Sequence, residues 1–253
     1  MIEPSEQAAR EMRALLKRAT HGKDVPVPDL TAAEIIDGLR PFITERRQER
    51  IDAAIEKRTN TVIPVVEGII NTGNVSAVMR SAEALGYHQF HIIQNIREGQ
   101  ARFKSSERTS QGAEKWLDVH LWDTPAECTG YLKKAGYEVV VTHLDDGAVP
   151  ISDVDFTEKT ALVFGNERDG ATEELLTQAD RTCIVPMDGF TQSFNISVAA
   201  AVGLYHARQH RLASLGQHGD LSKRQKELLR ATYFLKSVNR AGDILRRAHE
   251  IDS

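Results

Sequence analysis

Cysteine is scarce in this sequence, which holds only Cys128 and Cys183 among its 253 residues. The two lie far apart and form no C-x-x-C pair, so the spacing predicts neither a disulfide framework nor a zinc module, and we expect two buried thiols. The chain also lacks an apolar run near the ~20 residues that span a bilayer, and its charged N-terminus lacks the apolar segment of a secretory signal. These absences favour a cytoplasmic protein without membrane contact.

Two common nucleotide-binding signatures are missing as well. No G-x-G-x-x-G follows the first predicted strand, which excludes the usual dinucleotide fingerprint. Residues 165–172 have the glycine spacing of a P-loop, but Ala171 occupies the position of the phosphate-binding lysine, which argues against an NTPase. Two histidines that share a helix face, His206 and His210, come without the glutamate and third ligand of a zinc site, and so no metal is predicted.

Basic charge is sparse in the middle of the chain. The net charge is −4, and residues 61–203 hold 11 Lys and Arg against 20 Asp and Glu, whereas residues 204–253 hold 10 against 5. This basic tail is either a solvated helix surface or a surface that contacts RNA phosphates, together with Arg46, Arg47 and Arg50. Its main basic residues are Lys223, Arg224, Lys226, Arg230, Lys236, Arg240, Arg246 and Arg247.

The hydrophobic pattern divides the chain into three regions. Apolar residues at helical spacing predict a helical N-terminal extension over residues 1–60. Residues 61–212 alternate short β-branched runs with amphipathic helices, which predicts an α/β domain with a mostly parallel sheet and helices on both faces. Residues 213–253 are predicted to be a basic helical C-terminal extension. The predicted strands are Val62 to Ile70, Phe90 to Gln94, Val119 to Trp122, Glu138 to Thr142, Ala161 to Phe164 and Cys183 to Pro186.

Cap residues mark the ends of the predicted helices. Asn74 is placed to cap the first helix of the domain and Gly86 to end it. Residues 124–127, TPAE, form a capping box with proline at the first helical position, and Gly136 closes that helix. A third helix is predicted to follow Phe194.

Three predicted loops are rich in glycine, asparagine and serine, and each follows a predicted strand. They span residues 71–76, 165–170 and 187–195, and the helix after the first loop carries Arg80. Each loop taken alone fits an ordinary cap or turn. Because loops after parallel strands gather at one edge of an α/β sheet, their joint occurrence indicates a ligand site there.

The same loops resemble the three motifs of the SpoU-class RNA 2′-O-methyltransferases of the SPOUT superfamily. The matching segments are Asn74 to Gly86 (N-x-S-A-x-x-R-x-A-x-A-x-G), Phe164 to Gly170 (F-G-x-E-x-x-G) and Val185 to Ala199 (I-P-M-x-G-x-x-Q-S-x-N-x-S-V-A). The third motif is the most specific, and the resemblance covers roughly residues 44–212. It is strongest with the tRNA guanosine-2′-O-methyltransferases, although residues 71–73 replace a His-containing loop common in those enzymes.

This resemblance implies a fold, a cofactor and an assembly. The fold is an α/β domain with a deep trefoil knot in its C-terminal part, a rare exception to the unknotted rule. S-adenosylmethionine is the implied methyl donor, and the implied assembly is a homodimer whose active site takes residues from both subunits. Donor contacts, largely through backbone groups, are implied for His143, Gly165, Val185, Met187 and Phe194.

The resemblance also implies catalytic roles for Asn74, Arg80, Glu167, Ser193 and Asn195. In the family the counterpart of Arg80 accepts the proton of the ribose hydroxyl, and the counterpart of Asn74 holds it. A guanidinium is a poor proton acceptor, so we expect Arg80 to bind the RNA phosphate and to steady the developing alkoxide. Phosphate or water would then take the proton, while Glu167 and the third loop position Arg80 and the ribose.

Three other functions remain open. The first is a sister enzyme that methylates ribosomal RNA, a choice that residues 1–43 and the region after Asp220 could dictate. The second is a non-catalytic RNA-binding or assembly protein, which would be expected to have lost motif residues that are all present here. The third, an α/β enzyme that acts on a small molecule, leaves the third motif unexplained. The sequence therefore predicts RNA, and tRNA before rRNA, as the partner.

Overall fold

The computed structural model describes residues 30–68, 72–94, 112–166, 170–191 and 193–251. The first 29 residues of the predicted N-terminal extension and the predicted catalytic Glu167 lie outside these ranges. The chain forms two compact units: Thr59–His218 is one, and the described residues up to Arg58 together with those from Gly219 onward are the other. The division into three regions at residues 60 and 212 stays a prediction.

Within the described residues, seven strands form the sheet of the larger unit. They are β1 (Val62–Glu67), β2 (Gln89–Ile93), β3 (Asp118–Trp122), β4 (Glu138–Thr142), β5 (Val149–Pro150), β6 (Thr160–Phe164) and β7 (Arg181–Ile184). Their order is β3-β2-β1-β6-β4-β7-β5, and every neighbouring pair is parallel. The predicted mostly parallel sheet is confirmed.

The observed strands differ from the predicted ones mainly at their ends. All six residues of β1 are buried, as a central strand covered on both faces requires. This strand was predicted to reach Ile70, but it ends at Glu67 because Gly68 adopts a φ of +70°. The short strand β5 was not predicted, since two residues are too few to give a pattern.

The helices of the described residues occupy both units. They are α1 (Ala32–Leu39), α2 (Glu45–Ile55), α3 (Thr72–Leu85), α4 (Pro125–Lys134), α5 (Glu173–Gln178), α6 (Ile196–Leu215), α7 (Lys223–Ser237) and α8 (Ala241–Ile251). Across the described ranges, none of them is both long enough and apolar enough to cross a bilayer.

Helices cover both faces of the sheet, as predicted. On one face, Met79 of α3 and Leu204 of α6 pack in the same cluster as Phe164 of β6. On the other face, α4 and α5 contribute buried side chains such as Leu132 and Leu175. The two predicted buried thiols lie one in each of these clusters, and burial raises the pKa of Cys183 to about 12.

The helix ends agree with the sequence in part. Gly86 and Gly136 adopt the left-handed conformation, at φ +94° and +85°, and end α3 and α4 as predicted. The side chain of Thr124 accepts a hydrogen bond from the Glu127 N–H at 3.3 Å. The Glu127 carboxylate, however, accepts from the N–H of Asp123 and not from that of Thr124, so the predicted capping box is only half formed.

The prediction that Asn74 caps the first helix of the domain is wrong. Helix α3 begins at Thr72, so the backbone of Thr72 and Gly73 is already helical and Asn74 lies in the first turn. The amide of Asn74 therefore projects from the helix itself rather than closing its end.

The smaller unit consists of α1, α2, α7 and α8. Its core includes Leu39 of α1, Phe234 of α7 and Leu245 of α8, all buried. Two ion pairs join α2 and its C-cap to α7: Lys226 lies 2.5 Å from Glu56, and Arg230 lies 2.8 Å from Asp52. Part of the basic tail thus stabilises the packing of two helices.

Candidate active site

The three motif loops lie at the edge formed by the carboxyl ends of the strands. The strand order reverses direction at β1, whose neighbours are β2 and β6. The first loop follows β1 and the second follows β6, with Val66 opposite Phe164 in the register. The third loop follows β7, and His143 follows β4, which lies between β6 and β7. Ligands of open α/β sheets bind at this edge, next to the switch point.

The first loop places an amide and a guanidinium on helix α3. Asn74 is half-buried in the first turn, and Arg80 is exposed six residues later, about 9 Å further along the axis. In the described part of the chain, no hydrogen bond joins Asn74 to Arg80, and no ion pair joins Arg80 to Glu67 or Glu83. The guanidinium is thus exposed, and its positioning by Asn74 stays a prediction.

In the second loop, the described residues on either side of residues 167–169 pack closely against each other. Asn166 and Gly170 exchange two backbone hydrogen bonds of 3.1 Å each. Gly165 has no room for a side chain, because a Cβ there would lie 2.4 Å from the backbone nitrogen of Ala171. A residue with a side chain at position 165 would push the loop away from β6. The catalytic role of Glu167 lies outside the described residues and stays a prediction.

A buried carboxylate that the sequence did not predict as part of the site follows the apolar residues of β1, near the second loop. Glu67, the last residue of β1, is 1% exposed. Its two oxygens accept hydrogen bonds from Thr172, one from the N–H at 2.9 Å and one from the hydroxyl at 2.5 Å. Burial, followed by the nearby Glu67, raises the pKa of Cys128. In the sequence, this residue stands out as a single carboxylate at the end of an otherwise apolar strand.

The third loop ends on an asparagine that caps α6. The Asn195 side-chain oxygen accepts from the N–H of Ser197 at 2.9 Å and from its hydroxyl at 2.6 Å. Ser193 and Asn195 are exposed, Val185 and Met187 are half-buried, and Phe194 is 42% exposed. Asn195 therefore fixes the start of a 20-residue helix through its side-chain oxygen.

The part of this edge beyond β4 and β7 has the groups that an adenosine-containing ligand needs. The His143 N–H donates to the carbonyl of Cys183 at 3.0 Å and ties the ends of the two strands together. The backbone groups of residues 187–191 form no backbone hydrogen bonds with other described residues. Leu144, 70% exposed, adds apolar surface after β4. Unpaired amides and carbonyls beside apolar side chains suit a ligand with an aromatic ring and an amino-acid tail.

The other histidines noted in the sequence lie away from this edge. His206 and His210 are half-buried on α6, and the ring of Phe156 packs edge-on against both at 6.1 and 6.0 Å. Burial, followed by the nearby His210, lowers the pKa of His206. These imidazoles pack against the fold and do not join the motif loops.

A family model and several known proteins match this chain. The model of the SpoU rRNA Methylase family matches residues 61–205. The tRNA (guanosine(18)-2′-O)-methyltransferase of Thermus thermophilus is 36% identical over 169 residues, which cover 67% of this chain and 85% of that enzyme. A 23S rRNA (guanosine-2′-O-)-methyltransferase of Acinetobacter baylyi is 28% identical over 179 residues, 70% of this chain and 71% of that enzyme.

Solved structures agree with the sequence matches. The TrmH/SpoU tRNA modifying enzyme of A. aeolicus superposes with a TM-score of 0.70 at 30% identity, covering 77% of this chain and 98% of that one. The SpoU methyltransferase AviRb of Streptomyces viridochromogenes, in complex with AdoMet, gives a TM-score of 0.54 at 28% identity and covers 64% and 65% of the two chains.

These matches define the class of protein. The fold is that of the α/β RNA methyltransferases. More narrowly, the chain belongs to the SpoU methylase family. It is accordingly a methyltransferase that acts on RNA, with S-adenosylmethionine as the methyl donor. The family resemblance and the methyl donor predicted from the sequence are confirmed.

Proposed function

We propose that this enzyme methylates the ribose 2′-oxygen of a guanosine in the D-loop of tRNA, at the position numbered eighteen. The observation that carries the proposal is the assembly of the three motif loops along one edge of the sheet, after β1, β6 and β7. The choice of tRNA and of this guanosine is supported by the similarity to the Thermus enzyme, at 36% identity.

In this reaction the ribose 2′-oxygen attacks a methyl group in line with its leaving sulfur. S-adenosylmethionine supplies that methyl group in electrophilic form. Arg80, exposed on α3, binds the phosphate next to the target ribose and stabilises the charge that develops on the 2′-oxygen. Because a guanidinium stays protonated, the proton passes to phosphate or water. Asn74, Glu167, Ser193 and Asn195 orient Arg80 and the ribose.

The proposed donor site lies at the carboxyl ends of the neighbouring strands β6, β4 and β7. Its residues are His143, Gly165, Val185, Met187 and Phe194. The half-buried side chains of Val185 and Met187 and the partly exposed ring of Phe194 provide apolar contacts. The backbone of residues 187–191 provides amides and carbonyls for the polar groups. The proposal includes the deep trefoil knot of the family, which brings these loops around the donor.

A homodimer is part of the same proposal. One face of α6 carries Val198, Val202 and Tyr205, which are 45%, 41% and 54% exposed. They recur at i, i+4 and i+7, so they form one apolar stripe, while the opposite face of α6 packs on the sheet. A second copy of this chain that covered the stripe would bring its own residues close to the third loop, where α6 begins.

The smaller unit is proposed to bind RNA phosphates. Arg46 and Arg50 of α2 and Lys223 of α7 are exposed, in contrast to Lys226 and Arg230, whose charges are paired with carboxylates. Exposed cations bind RNA by releasing counterions from the phosphates. Because the proposed substrate is tRNA, the proposal also places the enzyme in the cytoplasm.

Ribosomal RNA is the second candidate substrate, supported by the similarity to the Acinetobacter 23S rRNA enzyme. Incubation of the protein with methyl-labelled S-adenosylmethionine and separate pools of unmodified tRNA and rRNA decides between the two. Label in the tRNA pool supports the proposal. Label confined to the rRNA pool would overturn the choice of tRNA, and label in neither pool would contradict both candidates.

A further inference from the structure

Glu67 is a charged side chain in an unusual place. It is 1% exposed at the end of a strand whose six residues are all buried. A buried carboxylate is costly unless it is well hydrogen-bonded. Thr172 supplies two donors, its N–H at 2.9 Å and its hydroxyl at 2.5 Å, one to each carboxylate oxygen. Hydrogen bonds to an ionised acceptor are among the strong ones in proteins.

Thr172 in turn fixes the far end of the second motif loop. Its hydroxyl oxygen accepts from the N–H of Leu175 at 3.2 Å and so caps α5 while donating to Glu67. The near end of the loop is held at Gly165, where a Cβ would lie 2.4 Å from the backbone of Gly170 and Ala171. The loop is therefore held at both ends, by β6 on one side and by Glu67 on the other.

Glu67 also precedes the first motif loop by four residues. Gly68 follows it directly at φ +70°, and a Cβ on Gly68 would lie 3.1 Å from the Asn166 side chain. Gly68, which follows β1, thus lies against Asn166 of the second motif loop, next to the Glu67–Thr172 contact. One carboxylate connects the segment that leads to Asn74 and Arg80 with the segment that carries Glu167.

We infer that Glu67 is a positioning residue of the methyl-transfer reaction: through Thr172 it sets the second motif loop in register with the first. The inference rests on the proposed function, since both loops carry its catalytic residues. Displacement of a catalytic group by about 1 Å can lower a rate by roughly a hundredfold. Loss of the contact should therefore lower kcat more than it changes the KM for RNA.

The test compares Thr172→Val, Thr172→Ser and Glu67→Gln with the control Thr124→Val. Thr172→Val removes the hydroxyl that binds Glu67 and also a helix cap, whereas Thr124→Val removes only a comparable cap, that of α4. We expect kcat to fall about tenfold or more in Thr172→Val and Glu67→Gln, with an unchanged KM for RNA. Thr172→Ser, which keeps both donors, should retain the wild-type kcat, and so should Thr124→Val.

A second readout does not depend on RNA. Hydrogen exchange, followed by mass spectrometry, should be faster over residues 165–172 in Thr172→Val and Glu67→Gln but not in Thr124→Val. In kcat, the double variant Glu67→Gln/Thr172→Val should resemble Glu67→Gln alone, because both changes break the Glu67–Thr172 contact. The cap of α5 that Thr172→Val also removes should affect stability alone, as the cap of α4 does in Thr124→Val. If Glu67→Gln does not fold, kcat and hydrogen exchange are compared between Thr172→Val, Thr172→Ser and the control Thr124→Val.

The inference is overturned if Thr172→Val keeps the wild-type kcat, whether or not its loop exchanges faster, since Glu67 would then serve stability alone. It is also overturned if exchange over residues 165–172 is unchanged. Failure of the wild-type protein to methylate tRNA overturns the proposed substrate instead. In that case, S-adenosylmethionine affinity measured by calorimetry decides the inference: a weaker affinity in Thr172→Val than in Thr124→Val supports it, and equal affinities overturn it.

Discussion

Arg80 is the residue on which the chemistry depends most. It is exposed on α3 and, among the described residues, has no carboxylate partner, while the carboxylate of Glu67 is taken by Thr172. An exposed guanidinium without a carboxylate partner suits a phosphate, which it can bind through two parallel hydrogen bonds. The sequence predicted this residue through its motif, since a solitary exposed arginine on a helix carries no signal of its own.

Replacement of Arg80 tests its role directly. Arg80→Ala should abolish methyl transfer, because it removes the charge that stabilises the developing alkoxide, and should leave S-adenosylmethionine binding nearly intact. The control Arg181→Ala removes another exposed arginine, which pairs with Glu138 at the start of β7, the opposite end of that strand from the site. Single-turnover rates and donor calorimetry on both variants check this. Unchanged turnover in Arg80→Ala would show that the first motif has been misassigned.

Other residues show where single-residue prediction failed. Asn74 was expected at the helix cap because its type favours that position, but the helix starts at Thr72. Glu67 was not predicted, because its role depends on Thr172, 105 residues away, and a long-range contact leaves no local pattern. Pairings of this kind are set by the packing of the strands, which a single sequence does not display.

Among the elements, α6 connects the site to the fold. Its first turn is capped by Asn195, one face packs on the sheet, and the opposite face is exposed. The sequence predicted the helix after Phe194 and the apolar strands, because their periodicity is local. It did not predict β5, whose two residues are ordered by pairing with β7.

Asn195 allows the cap and the catalytic role to be separated. Asn195→Ala should destabilise the protein by about 1 kcal/mol, because it removes the oxygen that accepts from Ser197. Asn195→Asp keeps an accepting oxygen, so it should unfold near the wild-type temperature and still lose methyl transfer, because the amide donor is gone. Thermal unfolding and turnover, measured on both variants, check this. Wild-type turnover in Asn195→Asp would reduce the residue to a cap.

At the scale of the whole molecule, the sheet and its order position the site. Parallel strands place all three motif loops at one edge, and the reversal at β1 brings the first two side by side. The sequence predicted this α/β architecture because alternating strands and helices allow few arrangements. It did not predict that the described residues up to Arg58 pack with those from Gly219 onward, since this association joins distant segments.

The apolar stripe on α6 predicts the assembly. Val202→Asp, at the centre of the stripe, should convert a dimer into a monomer of 28.2 kDa, because a charge cannot be buried there without a partner. Methyl transfer should be lost with the dimer. Leu121→Asp, on the exposed side of β3, is the control, since Leu121 is similarly exposed at 47%. Light scattering checks the masses, and a monomeric wild type would contradict the homodimer.

The smaller unit predicts how salt affects RNA binding. Combined Arg46→Ala, Arg50→Ala and Lys223→Ala should weaken binding and reduce the slope of log affinity against log salt by up to about three. Combined Lys226→Ala and Glu56→Ala removes an ion pair without changing net charge and serves as the control. Filter binding at several salt concentrations measures both. If affinity and slope stay at wild-type values in the triple variant, these cations form only a solvated surface.

The most direct test of the account is to map the methylated nucleotide. An unmodified tRNA transcript is incubated with the protein and S-adenosylmethionine, and each ribose is then examined for 2′-O-methylation, with Arg80→Ala as the inactive control. We expect a single new 2′-O-methyl group, on the guanosine at position eighteen of the D-loop, with wild-type protein only. Methylation of a base, or of a ribose elsewhere in the tRNA, would contradict it.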